Sequence, residues 1–151
     1  MRTFHLSGNS IVVRAAQLQE IVDLRHAVLR QGLPRAEAIF AGDDAPTSRH
    51  YGAFRDEVAV GCATLHASEW QGEPAWQLRG MATSPEFRRQ GLGKLILEEM
   101  EAELAPGALL WCNARVPYVA FYQAMGWQVV SEPFEIPTAG PHVKMVKRLA
   151  R

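Results

Sequence analysis

The stretch Arg88-Arg89-Gln90-Gly91-Leu92-Gly93-Lys94 combines residue types and spacing that could do chemistry. It lies where a polar loop, Pro85 to Gln90, gives way to a segment of helical periodicity. The first N–H groups of a helix have no partner inside the helix, and the helix dipole makes that end positive. Such an end attracts anions. Glycine at 91 and 93 removes the Cβ atoms that would hold a phosphate off the backbone. Arg88, Arg89 and Lys94 add positive charge. The chemistry in view is the grip of a phosphate or pyrophosphate.

Two familiar phosphate loops fail on residues. A Walker A loop requires glycine where Arg88 stands and Ser or Thr where Leu95 stands, so the magnesium-binding hydroxyl is missing. A dinucleotide fingerprint requires a third glycine where Ile96 stands. The bland alternative is a capped surface helix with incidental arginines.

The elements that must position this stretch are readable from periodicity. Ile11–Ala15 reads as a short strand, and Leu18, Ile21, Val22, Val28 and Leu29 make an amphipathic helix from Gln17 to Arg30, stopped by Gly32-Leu33-Pro34. Residues 41–47 are a loop by composition. His50–Arg55, Val58–Ser68 and Trp76–Ala82 form an antiparallel meander with turns at Asp56-Glu57 and Gln71–Pro74. A helix from Gly91 to Leu104 follows, then a buried strand over 108–112, a helix from about Pro117 to Met125, and strands at Trp127–Val130 and Val143–Lys147. The class is α+β in a single domain, residues 1–151, whose β-α-β crossover makes two strands parallel.

The bulk numbers narrow the function. The chain has 151 residues, 48% of them hydrophobic, which is enough for one real core. Sixteen Lys and Arg balance sixteen Asp and Glu, so there is no basic field for a nucleic-acid backbone. No apolar run approaches the roughly 20 residues of a membrane span, and no signal peptide is visible. Cys62 and Cys112 sit in apolar runs without ligand-spaced partners, which argues against a metal and for reduced core thiols, as in the cytoplasm.

The pattern Arg88-x-x-Gly91-x-Gly93 resembles the acetyl-CoA signature of the GNAT superfamily of N-acetyltransferases. Leu78 to Phe87 looks like that family's fourth strand and loop. Phe121-Tyr122-Gln123-Ala124-Met125-Gly126-Trp127 is similar to its tyrosine, three residues, glycine, aromatic pattern, about thirty residues downstream. The strand Leu78–Ala82 and the Gly140-Pro141-His142 loop also resemble an uncharacterised bacterial subgroup.

The resemblance implies a mixed sheet splayed between its fourth and fifth strands, with acetyl-CoA as co-substrate in the gap. Backbone groups of Met81, Ala82 and Thr83 would meet the pantetheine arm. Backbone N–H groups of Arg89, Gln90, Gly91, Leu92, Gly93 and Lys94, with Arg88, would hold the pyrophosphate. Asn113 and Phe121 complete the implied coenzyme site, Asn113 being equally readable as a strand-ending turn residue.

A neutral amine would attack the thioester carbonyl, polarised by a backbone N–H near Met81. Tyr122 would protonate the departing thiolate. Relatives often carry a glutamate base on the fourth strand, where Gln77 and Arg79 stand here, so water or His142, in a loop over the acceptor side, is the candidate. His26, Arg30, Asp43, Asp44 and Arg79 are the acceptor-side candidates, Arg30 and Arg79 for an anionic group. The acceptor is a small-molecule or peptide amine, and a homodimer is compatible with four tryptophans. The alternative from another class is an acyl-CoA-binding sensor that does not catalyse.

Overall fold

The computed structural model describes all 151 residues. The strand pairings make a nine-stranded mixed sheet, accompanied by three α-helices. The chain divides into two compact units. One is Met1–His66 with Gly80–Leu104, the other Ala67–Arg79 with Ala105–Arg151.

In the first unit, β1 (Arg2–Leu6), β2 (Asn9–Ala16), β3 (Arg49–Arg55) and β4 (Val58–Trp70) follow one another as antiparallel neighbours. β5 (Glu73–Thr83) lies next to β4. Ser7-Gly8, Asp56-Glu57 and Gln71-Gly72 all have positive φ at both positions, the geometry of two-residue hairpins that follow the strand twist. Helix α1 (Leu18–Leu29) and helix α2 (Leu92–Ala102) cover opposite faces of this part of the sheet. A Cβ on Gly52 would meet Ile21 of α1 at 3.3 Å, whereas one on Gly61 would meet Ile96 of α2 at 2.7 Å. Gly52 pairs with Cys62 and Ala53 with Gly61, so those two glycines point to opposite faces. Leu92, Ile96, Leu97 and Met100 are 1% exposed or less, and burying each contributes about 1.5–3 kcal/mol.

In the second unit, β5 pairs in parallel with β6 (Leu109–Arg115), and only at Trp76–Leu110 and Gln77–Trp111. β6 runs antiparallel to β9 (Gly140–Arg148) along seven residue pairs. Helix α3 (Val119–Ala124) leads into β7 (Gln128–Val129), and both β7 and β8 (Phe134–Ile136) pair with β9. No helix is long and apolar enough to cross a membrane.

The structure departs from the sequence reading in instructive places. Strand β1 was not expected, because a half-exposed edge strand has too few apolar residues to announce itself. Glu73 and Pro74 open β5 rather than close a turn, since the turn is complete at Gln71-Gly72. α2 starts one residue later than expected, with Gly91 as its left-handed N-cap. α3 is only six residues long, preceded by a 3-10 turn at Val116–Tyr118. His142 does not lie in a loop: it pairs with Arg115 and Phe134 inside β9.

Candidate functional site

The glycine-rich stretch is held from behind and open in front. β5 ends at Thr83, and the Ser84 N–H donates to Val60 O at 2.8 Å. A 3-10 turn, Pro85–Phe87, then plants Phe87 at 2% exposure. Arg55 donates to Glu86 at 3.1 Å and lies over the Phe87 ring, 5.2 Å from its centroid. Arg89 and Gly91 both have left-handed backbones, φ 63° and 81°. A Cβ built on Gly91 would find nothing within 4 Å, so the space in front of the first turn of α2 is open. No side chain caps that turn, which leaves its N–H groups for an external acceptor. Arg88, Arg89 and Lys94 are exposed around it.

Two members of the stretch have side chains committed elsewhere. Gln90 donates to Glu86 O at 2.8 Å and accepts from the Ser7 hydroxyl at 2.7 Å. Leu92 is core, at 1% exposure. Both have only backbone to offer a ligand. In β5, Ala82 packs with Ile21, Phe54 and Cys62, while Met81 and Thr83 are half-buried. The parallel pairing with β6 ends at Gln77, so Met81 to Thr83 have no β6 partner in the register.

The second unit carries the other expected residues. Tyr122 is 8% exposed on α3, its ring edge-on to Phe121 at 5.2 Å and to Trp127 at 5.5 Å. Burial, with smaller contributions from Cys112 and Tyr118, pushes its phenol far above the ordinary value, so it keeps its proton at every working pH. Asn113 lies within β6, two residues before its end, and its Oδ1 accepts from Lys144 Nζ at 3.0 Å. That leaves the Asn113 amide N–H groups as its donors. Arg79 is half-buried and engaged in contacts of its own. His142 is 4% exposed with Nδ1 2.7 Å from Gly140 O, which fixes the proton on that nitrogen.

Several acceptor-side candidates have partners within the chain. His26 Nε2 donates to Leu33 O at 2.6 Å, closing the end of α1. Arg30 donates to Leu29 O at 3.0 Å and stacks 5.1 Å from the Phe40 centroid. Asp44 is exposed, but Asp43 is 3% exposed and sits in a buried polar network that the sequence reading missed.

Arg25, with no exposed surface at all, is the hub of that network. It donates to Ala38 O at 2.8 Å, Asp43 Oδ2 at 2.6 Å and Thr64 Oγ1 at 2.7 Å, and stacks on Phe40 at 4.2 Å. Asp43 also accepts from the Phe40 N–H at 2.7 Å and, on Oδ1, from His66 Nε2 at 2.8 Å. His50 bridges Thr64 Oγ1 at 2.8 Å and Asp43 O at 2.9 Å. Burial acts to raise the Asp43 carboxyl, but the bonds from Arg25, His66 and Phe40 outweigh it and hold the group below its ordinary value.

Arg25 also reaches β5. A Cβ on Gly80, whose φ is 63°, would fall 2.7 Å from Arg25 Nε, so only glycine lets the strand pass over the guanidinium. One signal could have exposed the network. Arg25 lies four residues after Ile21 and three after Val22 on the buried stripe of α1, and a charge there demands a buried partner. No group of three or more His, Cys, Asp or Glu is placed to hold a metal ion.

The family described as acetyltransferase (GNAT) domain matches residues 46–129. An uncharacterized N-acetyltransferase, YitI of Bacillus subtilis (strain 168), is 32% identical over 145 residues, covering 91% of this chain and 95% of that protein. The crystal structure of Escherichia coli ElaA superposes with a TM-score of 0.76 at 21% identity, covering 91% of this chain and 99% of the other. An aminoglycoside 6'-N-acetyltransferase complexed with coenzyme A superposes with a TM-score of 0.73 at 13% identity, covering 93% and 98%.

Proposed function

The chain belongs to the GNAT acetyltransferase family, and from that premise we propose that it moves the acetyl group of acetyl-CoA to a primary amine on a small molecule or peptide. One observation carries the coenzyme half of the reading. The first turn of α2 is uncapped, flanked by Arg88, Arg89 and Lys94, and open in front of Gly91. An aligned set of free N–H groups at a positive helix end suits a pyrophosphate. The pantetheine arm would run back from this cradle along Thr83, Ala82 and Met81, taking strand-like hydrogen bonds from a stretch of β5 without a β6 partner. That course brings the thioester toward Gly80. Asn113 and Phe121 are assigned to the coenzyme on the family pattern.

In the transfer, the amine nitrogen attacks the thioester carbonyl carbon, the C–N bond forms and the carbonyl π pair moves to oxygen. Collapse restores the carbonyl and breaks the C–S bond, the pair leaving on sulfur, while the nitrogen gives up its surplus proton to solvent and becomes the amide. Tyr122 supplies a proton to that sulfur and is reprotonated from solvent. Its raised phenol value has a kinetic consequence. Tyr122 loses no proton near neutrality, so it adds no falling limb to the pH–rate curve below about pH 10.

Tyr122→Phe tests the assignment. It should lower kcat by about 10²–10⁴-fold and leave acetyl-CoA affinity within about twofold, since it removes a proton donor and keeps the ring. Stopped CoA-thiol release, read with spermidine, glucosamine and lysine amide as probe amines, gives the rate. Wild-type turnover in the variant would remove Tyr122 from the mechanism.

A further inference from the structure

An amine acceptor that arrives protonated must lose a proton before its lone pair can attack, and β5 offers no carboxylate at Gln77 or Arg79 to take it. The first unit holds a different device. His66, on β4, donates from Nε2 to Asp43 Oδ1 at 2.8 Å. Asp43 accepts from Arg25, the Phe40 N–H and His66, so its carboxylate is fixed in place by three donors. An imidazole whose one nitrogen gives its proton to a fixed carboxylate is held in a single tautomer, with the lone pair on the other nitrogen. His66 Nδ1 carries that lone pair and has no hydrogen-bond partner in the chain, and the side chain is 10% exposed.

His50 and His26, of the same unit, lack this combination. His50 is bonded at both nitrogens: Nε2 must donate to the Asp43 carbonyl, so Nδ1 accepts from the Thr64 hydroxyl, which in turn accepts from Arg25. His26 spends its Nε2 proton on Leu33 O, with no carboxylate behind it. The ring of His66 faces Gly42, whose absent Cβ would stand 3.7 Å from it. That is ordinary contact distance, so it is the left-handed conformation of Gly42, φ 93°, that favours glycine there.

Resting on the transferase reading above, we infer that His66, oriented by Asp43, is the general base that deprotonates the acceptor amine. Its place in the fold supports this. Arg25 bridges the left-handed bend of β5 at Gly80 and the Asp43 carboxylate that holds His66. The dyad is therefore tied, through one side chain, to the part of β5 where the thioester would lie. The proton balance is simple. His66 Nδ1 takes one proton from the ammonium of the acceptor and becomes imidazolium, and the freed amine attacks. The surplus N–H proton of the tetrahedral intermediate passes to solvent as it collapses, and the imidazolium returns its proton to solvent after product leaves. Asp43 stays ionised throughout, and its charge stabilises the imidazolium; Arg25 and His50 are the other titratable groups bonded into this network. Asp43 and Arg25 are positioning residues.

His66→Gln is the informative variant, because the amide can still donate to Asp43. With the same probe amines at pH about 7, where an alkyl ammonium holds its proton, kcat/KM should fall about 10²-fold or more, while the acetyl-CoA Kd stays at the wild-type value. At pH about 10 the acceptor is largely free base, and variant and wild type should converge. Equal activity at neutral pH would overturn the assignment, and so would an equal loss at both pH values, the mark of a structural role. Where His66→Gln fails to bind acetyl-CoA, His66→Ala with and without 4-methylimidazole replaces it: rescue supports the base, and a rate unmoved by imidazole overturns it. A wild type that binds acetyl-CoA yet releases no CoA thiol at either pH overturns the transferase reading itself, and this assignment with it.

Discussion

The first unit contains two polar regions built on opposite plans. The Arg25–Asp43–His66 network is sealed: Arg25 has no exposed surface, Asp43 3%, and each charged atom of the carboxylate has a donor. The start of α2 is unsealed, with an uncapped turn, exposed cations and open space at Gly91. A closed polar cluster spends its hydrogen bonds on the protein and holds side chains rigid. An open one keeps its hydrogen bonds for a ligand. The contrast suits the first region to positioning and, in the reading proposed above, the second to binding, and His66 is the member of the closed network whose side chain keeps some exposure.

The largest effect that would break the contrast is on stability. Asp43→Asn leaves the Arg25 guanidinium buried without its counter-charge, so it should cost about 3–5 kcal/mol in urea unfolding. A loss under about 1 kcal/mol would mean that the network is not the sealed structural element described here. The same carboxylate sets an acid limit. Its folded value lies below its unfolded one, so its contribution is present above the ordinary aspartate value of about 4 and is lost as pH falls through the lower folded value. An acid titration of wild type against Asp43→Asn should show the stability gap shrinking below pH about 4, and a gap independent of pH would contradict this.

The smallest expected effect concerns the thiols. Burial pushes both Cys62 and Cys112 up to about 12. Thiolate is the reactive form, so neither should react with a disulfide reagent at pH about 8 unless denaturant is added. Rapid labelling of the native protein would show that these strands open. The prediction also matters practically, because unreactive cysteines leave no background in a CoA-thiol assay.

The loop-to-helix junction at Arg88 to Lys94 was legible in the sequence because its parts are neighbours, and glycine spacing announces a close backbone approach. The meander and α2 were legible from hydrophobic periodicity. The network was not, since Arg25, Asp43, His50, Thr64 and His66 come from α1, a loop, β3 and β4, and only the fold brings them together. Asp43 was noticed as a loop charge but not as a buried one, because composition shows a loop residue's polarity and not its burial. His142 shows the reverse error. Gly140-Pro141 looks like a turn, yet Gly140 and Pro141 pair with Ile136 and Glu135, which carries β9 through them.

The central claim is that the uncapped start of α2 binds acetyl-CoA, and calorimetry of wild type against Gly91→Glu tests it most directly. The substitution puts a side chain and a negative charge into the open space, at a backbone strain of about 1–2 kcal/mol that leaves the fold standing. Micromolar binding by the wild type, lost by more than about 100-fold in a folded variant, is the expected result. A wild type that does not bind, or a variant that binds as well, would contradict the account.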